Sequence, residues 1–430
     1  MKSRGNKGIG AVVIGGDYQG LGIVRSLGRQ GVPVHVIDDE HSIARFSRYT
    51  SSAVRVPDLR APENTLQALL RLGRLNQLNG CVLYPTRDET VAVLSQHRSQ
   101  LSQYFRVPTP GWETIRWIWD KRNTYQMAEK LDIPTPRTWL FPNQRNLADI
   151  DEHLPVAIKP AIKEHFVHAT GDKCWRAGTP WQLRQLFTRA QRHVPADEIM
   201  LQDIIPGDGD HQFAYCAFFK EGRAVASIVV RRRRQHPLEF GRASTYVETV
   251  DVPELERLSV RFLSAINYYG LVEVEFKRDP RNGKYCLLDV NGRTWGYHTI
   301  GRPAGVDFPA LLFSDQVDGR VESCRGRSGV RWIRLLTDVP TGVVGMLQGA
   351  FRPGSYLWSL SNWHEEAVFS SDDPLPGVAE LALVPYLFFT RGAALQRLSR
   401  GISEAASRAV AHDPLPPEDV GARDHIQRAS

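Results

Sequence analysis

The chain has 430 residues, of which 42% are hydrophobic, 9% aromatic and 23% charged, an ordinary globular composition with room for about two to four domains. A formal charge of +7 does not demand a nucleic-acid partner, and five scattered cysteines without a CxxC pair or zinc spacing speak against a disulfide framework or zinc module. The apolar run in "MKSRGNKGIGAVVIGG" is too short for a secretion signal, so a reducing cytoplasmic compartment is expected.

The first predicted elements are a buried strand in "GAVVIGG", a helix in "DYQGLGIVRSLGRQG" and a second strand in "VPVHVIDDE". This is a βαβ opening, and "GCVLYPTRDETVAVLSQH" repeats the plan of apolar strand, polar loop and helix. Glycines 15, 16, 20 and 22 do not spell a dinucleotide fingerprint, because Asp17 stands where the second glycine belongs. Two readings stay open there: a tight strand-to-helix turn, or a helix N-terminus facing a small anion.

The next block opens with a helix in "WDKRNTYQMAEKLDIPTP" and a strand, "LPVAIKP", that carries Lys159. Strands in "KCWRAG" and "EIMLQDIIPGDGDHQFAYCAFF" flank the helix "TPWQLRQLFTRAQRH". A long strand, "RAVASIVVRRRRQHP", and an amphipathic helix, "VPELERLSVRFLSAINYYG", follow. This order is α+β in style. Within the arginine run, alternation puts Arg231 and Arg233 on one face and Arg232 and Arg234 on the other. The pair Arg232 and Arg234 is assigned to a nucleotide cleft. No wide basic patch with stacking aromatics accompanies the run, which disfavours nucleic acid.

Beyond about residue 325 the pattern weakens. "GVRWIRLLTDV" reads as a strand and "GARDHIQRAS" as a disordered end. "VAELALVPYLFFTRGAAL" contains Glu380 and Pro385 and falls short of a membrane span; it reads as a core helix, with peripheral membrane contact as the alternative.

The most informative stretch is "EVEFKRDPRNGKYCLLDVNGRTWG". Two strands meet at an Asn-Gly hairpin turn. Alternation places Asp289, Asn291 and Arg293 on one face of the second strand, and Glu275 on the first strand can point to the same place. An all-oxygen set of Glu275, Asp289 and Asn291 suits a hard cation such as magnesium, and Arg293 can fork onto a phosphate oxygen.

With these residues the chain resembles the ATP-grasp superfamily, in particular its carboxylate–amine ligases with their carbamoyl-phosphate-synthase-like ATP-binding fold. The resemblance runs from about residue 8 to about residue 315. It implies an α/β plus α+β fold: a Rossmann-like pre-ATP-grasp domain (8–118), a two-subdomain ATP-grasp domain (119–320) and a C-terminal extension (325–430). "VEVEF" and "LLDVNGR" look like the family's metal signature, with Glu275, Asp289 and Asn291 as ligands and Arg293 facing the transferred phosphoryl group. Asp289 stands where glutamate is commoner, one methylene shorter. Lys121 would reach an ATP phosphate, and Lys159 would hold the α- and β-phosphates and assist catalysis. "IMLQDIIPGDGD" resembles the adenine hinge, so Asp203, Ile204 and Ile205 would meet the purine and Asp210 the ribose. The glycine-rich phosphate loop of many members is absent from "KPAIKEHFVHATGDKCW", and Lys163 and Lys173 are assigned part of its charge neutralisation.

The expectation is therefore an ATP-dependent ligase that joins a small carboxylic acid to an amine through an acyl phosphate. It would use ATP with Mg2+, or Mn2+ in its place, and a homodimer is compatible with it. The rival readings are an ATP-grasp kinase, a carboxylase and a nucleotide-binding protein without turnover.

Overall fold

A computed structural model describes residues 8–385 apart from 76–77, 141–146, 239 and 242. Residues 1–377 form one compact unit, and residues 378–430 belong to a second. The apolar stretch from 378 to 395 and the expected disordered end therefore lie largely outside the described residues. No described helix is long and apolar enough to cross a membrane.

The first sheet is parallel, in the order β3 (Thr50–Arg55), β2 (Val34–Asp38), β1 (Ala11–Ile14), β4 (Val82–Pro85). β1 is buried at every position, as its unbroken apolar run requires. β3 escaped the sequence reading because "TSSAVR" is an edge strand whose side chains are mostly exposed. Val12, Ile14, Leu69, Leu83 and Leu94 anchor the core between this sheet and its helices. The turn after β1 is tight: Gly15 has φ of 98°, and a Cβ on Gly20 would lie 2.1 Å from the Gly15 carbonyl oxygen. Asp17 caps helix Tyr18–Gly28 with its own carboxylate, accepting from the amides of Gln19 and Gly20. The tight-turn reading accounts for this segment.

The second sheet is antiparallel, in the order β5 (Thr138–Trp139), β8 (Ile199–Asp203), β6 (Val156–Pro160), β7 (Trp175–Ala177). Helices Lys163–Thr170 and Pro180–Ala190 contribute Phe166, Leu183 and Phe187 to its core.

The third sheet holds eight strands. Its path runs β13 (Tyr285–Asn291), β12 (Gly270–Arg278), β9 (Gln212–Lys220), β10 (Arg223–His236), β11 (Ala243–Val250), β15 (Arg331–Ile333), β16 (Glu365–Glu366), with β14 (Cys324–Arg325) paired to β10. The hairpin forms as the Asn-Gly signal predicts, with Gly283 at φ of 75° in the turn. Its register sets Glu273 opposite Asn291 and Glu275 opposite Asp289. Residues between 324 and 366 thus complete the largest of the described sheets. The strand read in "GVRWIRLLTDV" covers only Arg331–Ile333, and helix Leu335–Leu347 follows it.

Candidate active site

A cleft of about 900 Å³ opens between the second sheet and the hairpin end of the third. The volume falls in the usual range for small-molecule sites. β6 and the segment after it bring Lys159, Lys163 and Lys173 to the cleft, and β12 and β13 bring Glu275 and Asp289. Gln202, Asp203, Ile204 and Ile205 line it where β8 leaves the second sheet.

The lysines are already engaged. Lys159 Nζ donates to Gln202 Oε1 at 2.7 Å and to Tyr125 Oη at 2.8 Å. Tyr125 in turn donates to the carbonyl of Leu288 on β13 at 3.0 Å. Helix Lys121–Lys130, capped by Asp120, therefore ties the strand lysine to the hairpin. Lys121 Nζ is ion-paired with Asp289. Lys173 Nζ donates to the Gly241 carbonyl at 3.1 Å, and burial pulls its pKa down to about 8.

Glu275 and Asp289 are held ionised, whereas burial and the neighbouring Glu275 push Glu273 up to about 7. Burial pushes the Glu275 carboxyl up, but Arg232 and Lys173 outweigh it, and Arg232 Nη1 lies 2.6 Å from Glu275 Oε2. Burial likewise raises Asp289, and Lys121 and Lys163 bring it below the usual carboxylate range. Asn291 uses both amide hydrogens inside the site. Its Nδ2 donates to Glu275 Oε1 at 3.0 Å and to Glu273 Oε2 at 3.1 Å. Arg293 Nη2 donates to Asn291 Oδ1 at 3.2 Å and to Asp88 Oδ2 at 3.0 Å. Lys163 also pairs with Asp88, whose carboxyl lies well below its ordinary range because these two cations overcome its burial.

Glu275, Asp289, Asn291, Arg293, Lys121, Lys159, Lys173, Asp203, Ile204, Ile205 and Arg232 thus converge on one cleft or its inner edge. Two expected residues do not. Arg234 is buried and bidentate on Asp338, with both contacts at 2.8 Å, and does not line the cleft. Arg232 and Arg234 are both buried, as alternation expects, but Arg234 lies farther along the strand, against helix Leu335–Leu347 that carries Asp338. Asp210 sits in the short 3₁₀ turn Gly209–His211, where Arg233 Nη1 lies 3.3 Å from its Oδ1; Asp208 lines the cleft in its stead.

Three residues that sequence reasoning passed over belong here: Asp88, Gln202 and Glu273. Asp88 follows the carboxyl end of a parallel strand, the place where α/β sheets put their ligands, and that signal was available.

The donor set fits a nucleotide with a hard divalent cation. Glu275 and Asp289 face the cleft with Asn291 hydrogen-bonded behind them, and Lys121 and Arg232 stand as cations on the two carboxylates. The remaining lysines form a cationic wall suited to phosphates.

Fold and site are similar to those of known ligases and carboxylases, although no family model matches the chain. The D-aspartate ligase of Enterococcus faecium (strain Aus0004) is 23% identical over 364 residues, covering 79% of this chain and 85% of the relative. Among solved structures, the L-amino acid ligase from Bacillus licheniformis superposes with a TM-score of 0.57 at 15% identity, over 73% of this chain and 75% of that one. The biotin carboxylase domain dimer of Hydrogenobacter thermophilus 2-oxoglutarate carboxylase, in complex with MgADP, ADP and bicarbonate, gives 0.59 at 14% identity over 75% and 73%.

Proposed function

We propose that the chain joins the carboxylate of a small acid to an amine at the expense of ATP, with an amino acid as at least one substrate. The observation that carries the reading is the hairpin register. It puts Glu275 and Asp289 side by side on the cleft wall with Lys159 and Lys173, and Asn291 and Arg293 continue from them by hydrogen bonds behind that wall. The sequence relative and one structural neighbour are ligases of amino acids by name, which supports the substrate class.

In this reading Asp203, Ile204 and Ile205 border the adenine, and Lys159 and Lys173 hold phosphate oxygens. Asp208 replaces Asp210 as the nearest carboxylate for the ribose. Glu275, Asp289 and Asn291 would hold Mg2+, or Mn2+ in its place, and the metal would neutralise phosphate charge. The acid's carboxylate oxygen attacks the γ-phosphorus and ADP leaves. The amine nitrogen then attacks the acyl carbon, phosphate departs and the amine loses a proton. Arg293 meets the charge on the moving phosphoryl group. Residues 8–118 and 119–320 act as the pre-ATP-grasp and ATP-grasp domains, and the part after 325 as a completing extension. Five free cysteines support a reducing, cytoplasmic setting. A homodimer belongs to the same proposal, supported by the dimeric carboxylase neighbour.

The test is a screen of amino acids and hydroxy acids for ADP release, with hydroxylamine as the trapping amine. A hydroxamate that requires ATP, magnesium and one acid supports the ligase. ADP with a stable phosphorylated product makes it a kinase, and ADP release that depends on bicarbonate makes it a carboxylase.

A further inference from the structure

A primary amide offers two different faces. Its oxygen can ligate a metal; its NH2 group, a pure donor, cannot. A half-turn about the last side-chain bond exchanges them, so an asparagine that ligates a metal needs something to fix its rotamer. Asn291 has that fixture. It is 5% exposed, and its Nδ2 faces two carboxylates, Glu273 at 3.1 Å and Glu275 at 3.0 Å. Turning the amide over would set its oxygen against both carboxylates while exchanging donors for acceptors. The oxygen is thereby left toward Arg293, at 3.2 Å from Nη2.

Glu275 already has a place on the cleft wall, but Glu273 does not. Glu273 lies two residues earlier on β12, on the same face, directly opposite Asn291 and 4% exposed. Its other oxygen, Oε1, accepts from the hydroxyl of Tyr297, a residue 2% exposed. Tyr297 packs edge-on against Trp332, with ring centroids 6.2 Å apart. A carboxylate buried so deeply needs partners, and the ones it has are the asparagine and a tyrosine anchored in the core.

We propose that Glu273, held by Tyr297, is a positioning residue that locks the Asn291 amide with its oxygen turned toward the bound metal. The proposal rests on the reading of Asn291 as a ligand. Outer-shell partners of metal ligands typically contribute about 10- to 100-fold to metal affinity.

The experiment measures Mn2+ affinity from the free-ion EPR signal, in the presence of a non-hydrolysable ATP analogue, with the full chain. Glu273→Leu keeps the volume and removes the acceptor. It is expected to weaken Mn2+ binding by about tenfold or more in the natural background and to do nothing further in an Asn291→Leu background. Glu273→Gln, which keeps one acceptor oxygen, is expected to recover most of the loss. Unchanged affinity in Glu273→Leu, or an equal loss in both backgrounds, overturns the proposal. If Glu273→Leu does not fold, Tyr297→Phe is measured in the same two backgrounds. A loss of a few-fold seen only beside Asn291 supports the proposal, and no loss or the same loss in both backgrounds overturns it. Glu275→Gln and Asn291→Leu alone separate the two claims: if both retain full Mn2+ affinity, the metal reading itself has failed.

Discussion

Asp88 Oδ2 lies 3.0 Å from Arg293 Nη2, although 205 residues separate them in the chain. Lys163 pairs with the same carboxylate. A residue at the start of helix Asp88–Gln96, beside the first sheet, thus binds one cation from the hairpin and one from the second sheet's helix. Asp88→Ala leaves buried Arg293 without its anion and Lys163 with Glu164 alone, and breaking a buried pair costs about 3–5 kcal/mol. Urea unfolding is expected to show a loss of that order. ATP-analogue affinity is expected to hold, because Asp88 does not line the nucleotide cleft. A stability change under 1 kcal/mol would show the contact to be incidental.

Replacing Glu275 by Gln or Asp289 by Asn keeps shape and removes a charge. Each is expected to cut magnesium-dependent ADP release by at least 100-fold, comparable to losing one oxyanion-hole donor, with circular dichroism unchanged. Their facing register positions and cleft exposure motivate both variants. Near-natural rates at ordinary magnesium in either variant would remove that residue from the metal set.

Arg234 and Asp338 form a buried pair, 8% and 0% exposed in their side chains. The Arg234 guanidinium also lies 4.2 Å from the Tyr246 ring centroid and 4.9 Å from that of Tyr356. Arg234→Met leaves Asp338 buried and unpaired, so a loss of about 3–5 kcal/mol is expected in denaturant. The double variant with Asp338→Leu should recover most of it. ATP-analogue binding by the folded fraction should be unaltered; a weakened affinity there would restore Arg234 to the nucleotide site.

Asp210→Ala should leave ATP affinity unchanged within about twofold, while Asp208→Ala should weaken it by about 1–3 kcal/mol, a lost hydrogen bond to a charged group. The motive is that only Asp208 lines the cleft. Calorimetric titration with the analogue decides, and the opposite ranking would return the ribose role to Asp210.

What could be read from sequence was what local periodicity controls. Alternation and the Asn-Gly turn put Glu275, Asp289 and Asn291 on one edge, and the register sets Glu275 opposite Asp289. Alternation gave Arg232 and Arg234 a common buried side but not its neighbours: the helix carrying Asp338 covers Arg234 there. Asp210 was lost to a three-residue turn that no hydrophobic period reveals. Asp88 needed a contact with a residue 205 positions away, and Glu273 looked like one more polar residue of an alternating strand until its partners were known. Residues 331–333 read as a longer strand because the following helix is nearly as apolar.

Lys173 gives the site a pH signature. Burial lowers its pKa to about 8, against about 10.4 for a free lysine. Above pH 8 the nucleotide-free cleft therefore loses this charge. Bound phosphates favour the ammonium, so nucleotide binding draws in a proton and affinity must fall as pH rises from about 8 toward the pKa of the bound state. The limiting slope is about one log unit of Kd per pH unit. Phosphate second ionisations, near pH 6, are complete by then and add no slope. Calorimetry with a non-hydrolysable ATP analogue between about pH 7 and pH 10, run in two buffers of different ionisation heat, measures both the slope and the proton uptake. Lys173→Arg keeps its charge throughout this range and is expected to bind with a flatter profile. Lys173→Met is expected to bind weakly at every pH, also without the slope. An unchanged slope in either variant would assign the pH dependence to another group and leave Lys173 outside phosphate binding.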